Sequence, residues 1–399
     1  MPVKSLRRVL ARLALLVTVA ALILRASYLL RAGVPRVDDF SQYWAAGRLN
    51  LAGRNPYSPD ELYILQRGIG LERDRAIIMY NPPWLLAVAM PFGLLRYPLS
   101  RLAWLALQWA LAVLSALLLW GYYGGAPRGR MLALALPFTY LPTYVALREG
   151  QSSILMLFGI AAFLLLERRH RDWLAGAALA AATIKPLVLA LFWVALLLWV
   201  VSRRRWGIPL GLAAAVAIAS LAGTITNHNV FGQYLTLLAE NPPVEWATTT
   251  TGGFLRLLFG VERFWLQFVP LAFGIVWLLW YWARNRADWQ WAPQMPLVVG
   301  VALVTMPYGW TYDLVLLLVP IIVVATWLCV SRSARSIATV AGGYVLINGL
   351  AVGVSRVDPN IFWHFWMAPV LLLWYLAARA ILGRTDPGTV LRAQEDSIA

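Results

Sequence analysis

Apolar stretches long enough to cross a lipid bilayer recur along the whole chain, and they constrain its fold more than any other feature. Within lipid every backbone N–H and C=O group must be bonded inside the protein, so a run of about 20 apolar residues crosses as an α-helix. The composition agrees, because 61% of the 399 residues are hydrophobic and only 13% are charged. The sequence therefore predicts an all-α polytopic membrane protein.

The basic residues form short clusters between the apolar runs, and these clusters set the predicted orientation. A net charge of +16 would suit a nucleic-acid partner. However, no basic stripe interleaved with exposed aromatics is left over, so we expect no nucleic acid to bind. Short loops rich in Lys and Arg face the cytoplasm in membrane proteins. The clusters lie at 4–8, 128–130, 168–171, 203–205, 284–286, 332–335 and 379–392.

Placing every cluster inside predicts about twelve spans with both termini cytoplasmic. These spans are 9–30, 100–121, 131–147, 151–166, 172–184, 187–201, 207–225, 264–283, 293–307, 312–331, 336–355 and 361–383. The apolar segment 81–98 is not counted, because it is rich in proline and an extra span would put the later clusters outside. We interpret 81–98 as re-entrant or interfacial. Residues 1–383 then form one transmembrane domain, followed by a polar cytoplasmic tail, 384–399.

Two long segments, 31–80 and 226–262, fall on the external side in this topology. The first is the longer, and a long loop with a pattern of its own usually carries function. Its apolar residues Phe40, Trp44, Gly47 and Leu51 repeat at helical spacing. This repeat predicts a helix that lies on the membrane surface with its apolar side in lipid. The stretch GRNPYSPDELY then predicts a turn and a second short helix capped by Ser58 or Asp60.

The unusual polar residues also fall at the external ends of the spans. Ionisable groups in membrane segments are costly and by default indicate a site. The candidates are Asp38, Asp39 and Tyr43 in the first external loop, Arg148, Glu149 and Gln151 in LREGQSS, Lys185 in TIKPL, and Trp310, Tyr312 and Asp313 in PYGWTYDL. His228 and His364 have no companion at metal-ligand spacing, so we expect no metal site, although a divalent cation is not excluded as a helper.

These residue types suit group transfer from a lipid phosphate. Lys185 and Arg148 carry donors that pair with phosphate oxygens, and a carboxylate nearby takes a proton from an attacking hydroxyl. The aromatic residues Trp310, Tyr312, Tyr43 and Trp44 are candidates to stack on a sugar or an isoprenoid. Spacing alone leaves open which group moves.

Each residue also has a structural alternative. Asp38, Asp39 and Asp313 stand where helix N-caps are common. Arg148 and Glu149 can pair with each other, and Lys185 can extend to the lipid headgroups. At the level of function the alternatives are a transporter or flippase for a lipid-linked or sugar substrate, and an assembly subunit. Against transport, the 37–57 pattern is not repeated, and the polar residues gather at one end of the spans rather than at the midplane.

Four stretches carry a resemblance to a known family. DFSQYWAAGRLNLAGRNPY resembles the first external loop of glycosyltransferase family 87, where an Asp is followed four residues on by a Tyr, then by small residues, a Gly and a Pro-Tyr. YNPPWLLAVAMPFGLL is similar to the Tyr-x-Pro-Pro segment of that family. REGQSSILMLFGIAAFLLLERRHRDWLAGAALAAATIKP resembles its Gly-Gln, Ala-Gly and Lys-Pro block. MPYGWTYDLVLLLVP resembles its Trp-centred late motif, and the four stretches follow in order over about 37–320.

The resemblance implies a GT-C-type fold and a polyprenyl-phosphate sugar, mannose-like or arabinofuranose-like, as donor. It also implies a lipid-linked or envelope glycan as acceptor and an inverting transfer on the external face of a bacterial plasma membrane. Membrane lipids would be the surrounding partners, and no further cofactor is implied.

The family's external-loop Asp falls on Asp39, because Tyr43 follows four residues later. Asp39 would then be the general base, with Asp38 as its neighbour. Lys185 and Arg148 would neutralise the leaving phosphate, and Gln151 would bond its oxygens. Some members of the family carry His in the late motif where this chain has WTYD. A second acid/base role there would pass to Tyr312 or Asp313, or be absent.

Overall fold

The computed structural model describes residues 37–242, 244, 246, 248–358 and 361–382, and within these ranges the chain is helical with no β-strand. The all-α prediction is therefore confirmed for this part of the chain. The predicted first span, 9–30, and the predicted tail, 384–399, lie outside the described residues.

The helices of the first external segment are followed by those of the bundle. The α-helices are α1 Phe40–Leu51, α2 Pro59–Gly68, α3 Leu86–Gly93, α4 Tyr97–Tyr122, α5 Arg130–Thr139, α6 Leu141–Glu149, α7 Ser153–Arg168, α8 Asp172–Leu179, α9 Ala190–Arg203, α10 Gly207–Thr226, α11 Val230–Glu240, α12 Thr251–Phe259, α13 Val269–Asn285, α14 Trp291–Thr305, α15 Leu318–Val330, α16 Ala334–Val357 and α17 Met367–Leu382. Short 3-10 segments at Pro83–Leu85, Pro127–Gly129, Ala180–Ile184, Pro186–Leu189, Phe264–Phe268, Thr311–Leu317 and Ile361–His364 precede or extend several of them.

Seven helical segments in the described part of the chain are long and apolar enough to cross a membrane, or up to eight if one bent pair is a single span. The bent pair joins Pro127–Thr139 to Leu141–Glu149 at an angle of 58°. The predicted spans 151–166, 172–184 and 293–307 correspond to the helical segments Ser153–Arg168, Asp172–Ile184 and Trp291–Thr305, which are shorter than the seven counted here. A polytopic membrane protein is thus supported, and the figure of twelve spans stays a prediction.

The described part of the predicted first external segment, from residue 37 onward, differs from its prediction in one respect. Helix α1 was expected to place its apolar side in lipid, but the protein itself covers that side. Phe40 packs against Phe92, Tyr97 and Trp104 with ring centroids 5.3 to 6.1 Å apart. The expectation of a surface helix is therefore wrong for α1, because an amphipathic repeat shows that one side is buried without showing what buries it.

Helices α1 and α3 cross with their backbones in contact, and two glycines make this possible. A Cβ atom on Gly47 would lie 2.5 Å from the carbonyl oxygen of Ala89, and one on Gly93 would lie 2.5 Å from the backbone nitrogen of Arg48. The α3 segment, Pro83–Gly93, is shorter than the roughly 20 residues that cross a bilayer. This length agrees with the re-entrant or interfacial interpretation of 81–98, which stays a prediction.

The centre of the bundle is the segment Thr311–Val330, the most buried of the candidate spans. Helix α7 is also buried along most of its length. By contrast, α10 is the least buried, and its exposed side chains include Ile218, Leu221 and Ile225, which suits a face turned to lipid.

The two ends of the bundle carry different chemistry. Helix α4 has 26 residues, so it extends roughly 39 Å at 1.5 Å per residue. Arg101, near its start, lines the large cavity described below, while at its far end the carbonyl of Tyr122 accepts a hydrogen bond from Arg168 at 3.1 Å. Arg205 pairs with Asp172 and Glu167, and Arg203 donates to the carbonyl of Ala287. The predicted cytoplasmic clusters around 168–171, 203–205 and 284–286 therefore lie together at the end away from the cavity.

Candidate active site

A cavity of about 2180 Å³ opens at the end of the bundle opposite these basic clusters. It is bordered by the ten polar and aromatic candidates from the external ends of the predicted spans, although they come from four separate parts of the chain. These residues are Asp38, Asp39, Tyr43, Arg148, Glu149, Gln151, Lys185, Trp310, Tyr312 and Asp313. The folded chain thus gathers the predicted residues around one space large enough for a sugar and part of a lipid.

Asp39 occupies the N-cap position of α1, but its side chain makes no capping hydrogen bond. Instead its Oδ2 accepts a hydrogen bond from Nε2 of Gln151 at 2.7 Å. Its Oδ1 accepts no hydrogen bond from the part of the chain that the structure describes. Burial raises the pKa of Asp39 above its usual value of 3.8, and Gln151, Lys185 and Arg73 act against that rise. One carboxylate oxygen is therefore held in place and the other is open toward the cavity.

Both carboxylate oxygens of Asp38 accept hydrogen bonds from neighbouring residues. Its Oδ2 accepts from Nε of Arg101 at 2.7 Å, and its Oδ1 accepts from the backbone nitrogen of Phe40 at 3.1 Å. Burial raises the pKa of Asp38 to about 7, against the effect of the Arg101 guanidinium. The capping alternative thus describes Asp38 better than Asp39, since Asp38 fixes the start of α1.

Gln151 forms hydrogen bonds with Asp39 and Tyr43 at the start of α1 and also with Lys185. Its Oε1 accepts hydrogen bonds from the hydroxyl of Tyr43 at 3.0 Å and from Nζ of Lys185 at 3.1 Å. Because two donors face the amide oxygen, the amide nitrogen must be the atom that faces Asp39.

Gly150 precedes Gln151 in the chain and has a φ of +68°, and a Cβ there would lie 2.6 Å from Cβ of Phe40. Only glycine suits both the left-handed backbone and this close approach.

Lys185 lies at the break between the 3-10 segments Ala180–Ile184 and Pro186–Leu189. Its Nζ donates to Oδ1 of Asp313 at 2.8 Å and lies 4.4 Å from the ring centre of Tyr312. The side chain is only 16% exposed, so the alternative that it extends to lipid headgroups is wrong. Oδ2 of Asp313 accepts from the backbone nitrogen of Trp310 at 2.9 Å, so Asp313 caps its own helix while it binds Lys185.

Arg148 and Glu149 pair with each other, with 3.3 Å between Nε and Oε1. The structural alternative for these two residues is therefore present. An ion pair this exposed contributes little to stability, about 0 to 1 kcal/mol, so it also exchanges readily.

The aromatic residues divide into two groups. Trp310 lies in the cavity wall beside Trp246, with ring centroids 6.0 Å apart, and Trp246 contacts Tyr80 at 4.8 Å. Tyr43 and Trp44 are instead buried in the protein, and the indole Nε1 of Trp44 donates to the carbonyl of Leu95. Stacking on substrate is therefore wrong for Trp44, which packs behind the site, and Tyr43 contributes its hydroxyl group rather than its ring.

Several residues that line the cavity were missed in the sequence. Arg101 had a usable signal, since it is an ionisable residue at the start of an otherwise apolar span. Arg73 and Arg75 lie in the charged stretch ERDR, which nothing in the sequence distinguishes from an ordinary solvated loop. Tyr80 had a signal too, because it is the Tyr of the Tyr-x-Pro-Pro segment. Trp246 had none, because aromatic residues are abundant throughout the chain.

His228 and His364, the two histidines considered as metal ligands in the sequence, lie away from the cavity lining. His364 is buried, and its Nε2 lies 3.0 Å from Oγ of Ser355. Within the described ranges, no three His, Cys, Asp or Glu side chains are grouped so that they could hold a metal ion. A reaction without a metal stays a prediction.

Comparison with known proteins gives one match. Residues 79–307, more than half of the chain, match the family model of glycosyltransferase family 87. No curated protein and no solved structure matches the chain. The match includes Gln151 and Lys185, whereas Asp39 and Asp313 lie outside it, so their assignment depends on the geometry of the cavity.

Proposed function

Because the chain belongs to glycosyltransferase family 87, it is a membrane glycosyltransferase, and we propose that it transfers a sugar from a polyprenyl-phosphate donor to a glycan or glycolipid acceptor. The observation that carries this proposal is the position of Asp39. Its carboxylate has one oxygen bonded to Gln151 and the other open to a cavity that also contains cations and aromatic side chains. The mannose-like or arabinofuranose-like identity of the sugar is part of the same proposal.

Asp39 acts as the general base in this mechanism. The acceptor hydroxyl gives its proton to Oδ1 of Asp39 while its oxygen attacks the anomeric carbon of the donor sugar. The bond between that carbon and the phosphate oxygen breaks, and its electron pair leaves with the polyprenyl phosphate. Attack from the face opposite the phosphate inverts the anomeric carbon. The phosphate changes from a diester with one negative charge to a monoester that carries more.

The environment of Asp39 suits this task. A carboxylate with a raised pKa takes up a proton more readily than an ordinary one, provided that it is ionised at the working pH. Gln151 keeps Asp39 ionised by donating to it, and Lys185 and Tyr43 hold the amide of Gln151 in the required orientation. The role of Lys185 is therefore to orient Gln151 and to add positive charge near the base.

The aromatic wall suits the sugar or the first isoprene units. Trp310 and Trp246 present large apolar faces beside the charged centre. The ring of Tyr312 lies against Nζ of Lys185. This geometry suits a binding role for Tyr312 and Asp313 better than a second acid/base role. The orientation of the bundle, with the basic clusters at the far end, supports a cavity on the external face.

The test compares Asp39→Asn with the native chain in vesicles supplied with a labelled polyprenyl-phosphate sugar and a membrane extract as acceptor. Loss of a general base lowers the rate by about 100-fold or more. Asp288→Asn is the matched control, because Asp288 is exposed and lies beside the basic cluster at 284–286. Normal turnover in Asp39→Asn would refute the assignment of the base. Uptake of the labelled donor without transfer would favour the transporter alternative.

A further inference from the structure

We propose that Arg73 and Arg75 form the binding site for the phosphate group of the lipid donor, on the segment between α2 and α3. This inference rests on the proposed function for the identity of the lipid. The geometry of the two arginines stands independently of it.

The charges around the cavity point to these two residues. The cations that line it among the described residues are Arg73, Arg75, Arg101, Arg148 and Lys185. Three of them are neutralised by a carboxylate: Arg101 by Asp38 at 2.7 Å, Lys185 by Asp313 at 2.8 Å and Arg148 by Glu149 at 3.3 Å. A donor phosphate would have to displace a carboxylate to bind any of these three. This displacement is costly at the buried Arg101 and Lys185 pairs and costs little at the exposed Arg148 pair.

Arg73 and Arg75 differ from the other three cations. Within the described part of the chain neither side chain forms an ion pair, even with Asp74 between them, and both are exposed where they border the cavity. They are therefore the cations best able to accept an incoming anion. A guanidinium also presents parallel N–H donors that match two phosphate oxygens at once.

The segment that carries the two arginines is anchored on both sides. Nε2 of Gln66 donates to the carbonyl of Ile77 at 2.8 Å, and its Oε1 accepts from the backbone nitrogen of Ile77 at 2.8 Å. On the other side, the backbone nitrogen of Leu71 donates to the carbonyl of Gln66 at 3.0 Å. The side chains of Leu71 and Met79 are buried. The bend between them thus holds Arg73 and Arg75 at the cavity, which lowers the entropic cost of binding.

The two arginines border the same cavity as Asp39. The positive charge of Arg73 also acts against the rise in the pKa of that carboxyl. In an inverting displacement the base and the leaving phosphate lie on opposite sides of one sugar carbon. A phosphate held by Arg73 and Arg75 would therefore gain its additional negative charge beside two cations, which stabilises the transition state.

The experiment measures binding of the full chain, in nanodiscs of neutral phosphatidylcholine, to farnesyl phosphate and to farnesol. The two probes share the isoprenoid and differ in the phosphate. We expect the native chain to bind farnesyl phosphate at least 10-fold more tightly than farnesol, because charge-assisted hydrogen bonds of this kind are worth about 10-fold or more in affinity. Inorganic phosphate is the third probe. If the site requires the lipid, inorganic phosphate competes only weakly with farnesyl phosphate.

Arg73→Gln combined with Arg75→Gln should remove the preference for the phosphate and leave farnesol binding unchanged. The matched control is Arg54→Gln, since Arg54 is an exposed arginine of the same external segment and does not border the cavity. It should keep the full preference. Because Arg73 and Arg75 are exposed, the double variant should also keep the native melting temperature.

Two results would overturn the proposal: a native chain that binds both probes equally, or a double variant that keeps its preference for the phosphate. Suppose that the double variant keeps its preference for farnesyl phosphate but Lys185→Gln loses it. The phosphate then binds at Lys185, and the proposed transferase function stands. If the arginines prove to hold the phosphate but no sugar transfer is ever detected, the anion site stands and the proposed function is refuted.

Discussion

The hydrogen bond from Gln151 to Asp39 gives the most direct test of the chemistry at this site. Gln151→Leu removes the donor while keeping a side chain of similar size. Tyr43 retains a contact with Oγ of Ser152 at 3.3 Å, and Lys185 retains Asp313, so the neighbouring groups are not left without partners. The main change is that Oδ2 of Asp39 loses its 2.7 Å bond.

The size of the effect follows from that bond. A hydrogen bond to a charged group contributes about 1.5 to 3 kcal/mol, and about 1.4 kcal/mol is a factor of ten in an equilibrium constant. The bond favours the ionised form, so its loss raises the pKa of Asp39 further. A general base must be ionised to work, and activity is lost as the pH falls through its pKa. The acidic limb of the pH profile should therefore move to higher pH, and on that limb the activity should fall by about tenfold or more.

The measurement is kcat/KM for sugar transfer at a series of pH values, for the native chain, Gln151→Leu and the control Gln294→Leu. Gln294 accepts a hydrogen bond from Tyr281 and does not line the cavity. At high pH, Gln151→Leu should recover much of its activity because Asp39 is then ionised again. An equal loss of activity at every pH, with the limb unmoved, would show that Gln151 does not act through the ionisation of Asp39.

Three further changes have defined outcomes. Because burial raises the pKa of Asp39, its ionised form costs stability above that pKa, so Asp39→Asn should raise the melting temperature at pH 7 while it abolishes transfer. Arg101→Met leaves Asp38 buried without its 2.7 Å partner and should cost about 3 to 5 kcal/mol in unfolding experiments, part of which Asp38→Asn restores. Gly150→Ala places a Cβ atom 2.6 Å from Phe40 and should lower both stability and kcat, and unchanged values would show that the turn relaxes freely.

The sequence alone determined the class of the protein and the end of the bundle at which its candidate residues lie. Long apolar runs have few folded solutions, because backbone groups in lipid must bond within a helix. Polar residues that cannot be hidden in lipid collect where the helices end or break, so Lys185 in TIKPL and Gln151 in LREGQSS could be singled out as candidates from the sequence. The ten predicted residues border one cavity for this reason.

The tertiary structure decided which of those residues pair and which stay open. Asp39 and Gln151 are 112 residues apart in the chain, and Lys185 and Asp313 are 128 apart. No local pattern contains such distances, since each contact depends on how several helices pack. For the same reason only the structure distinguishes Arg73, which borders the cavity and forms no ion pair with any described residue, from Arg101, whose charge is neutralised by Asp38. Local sequence thus supplied the chemical groups, and helix packing determined their partners.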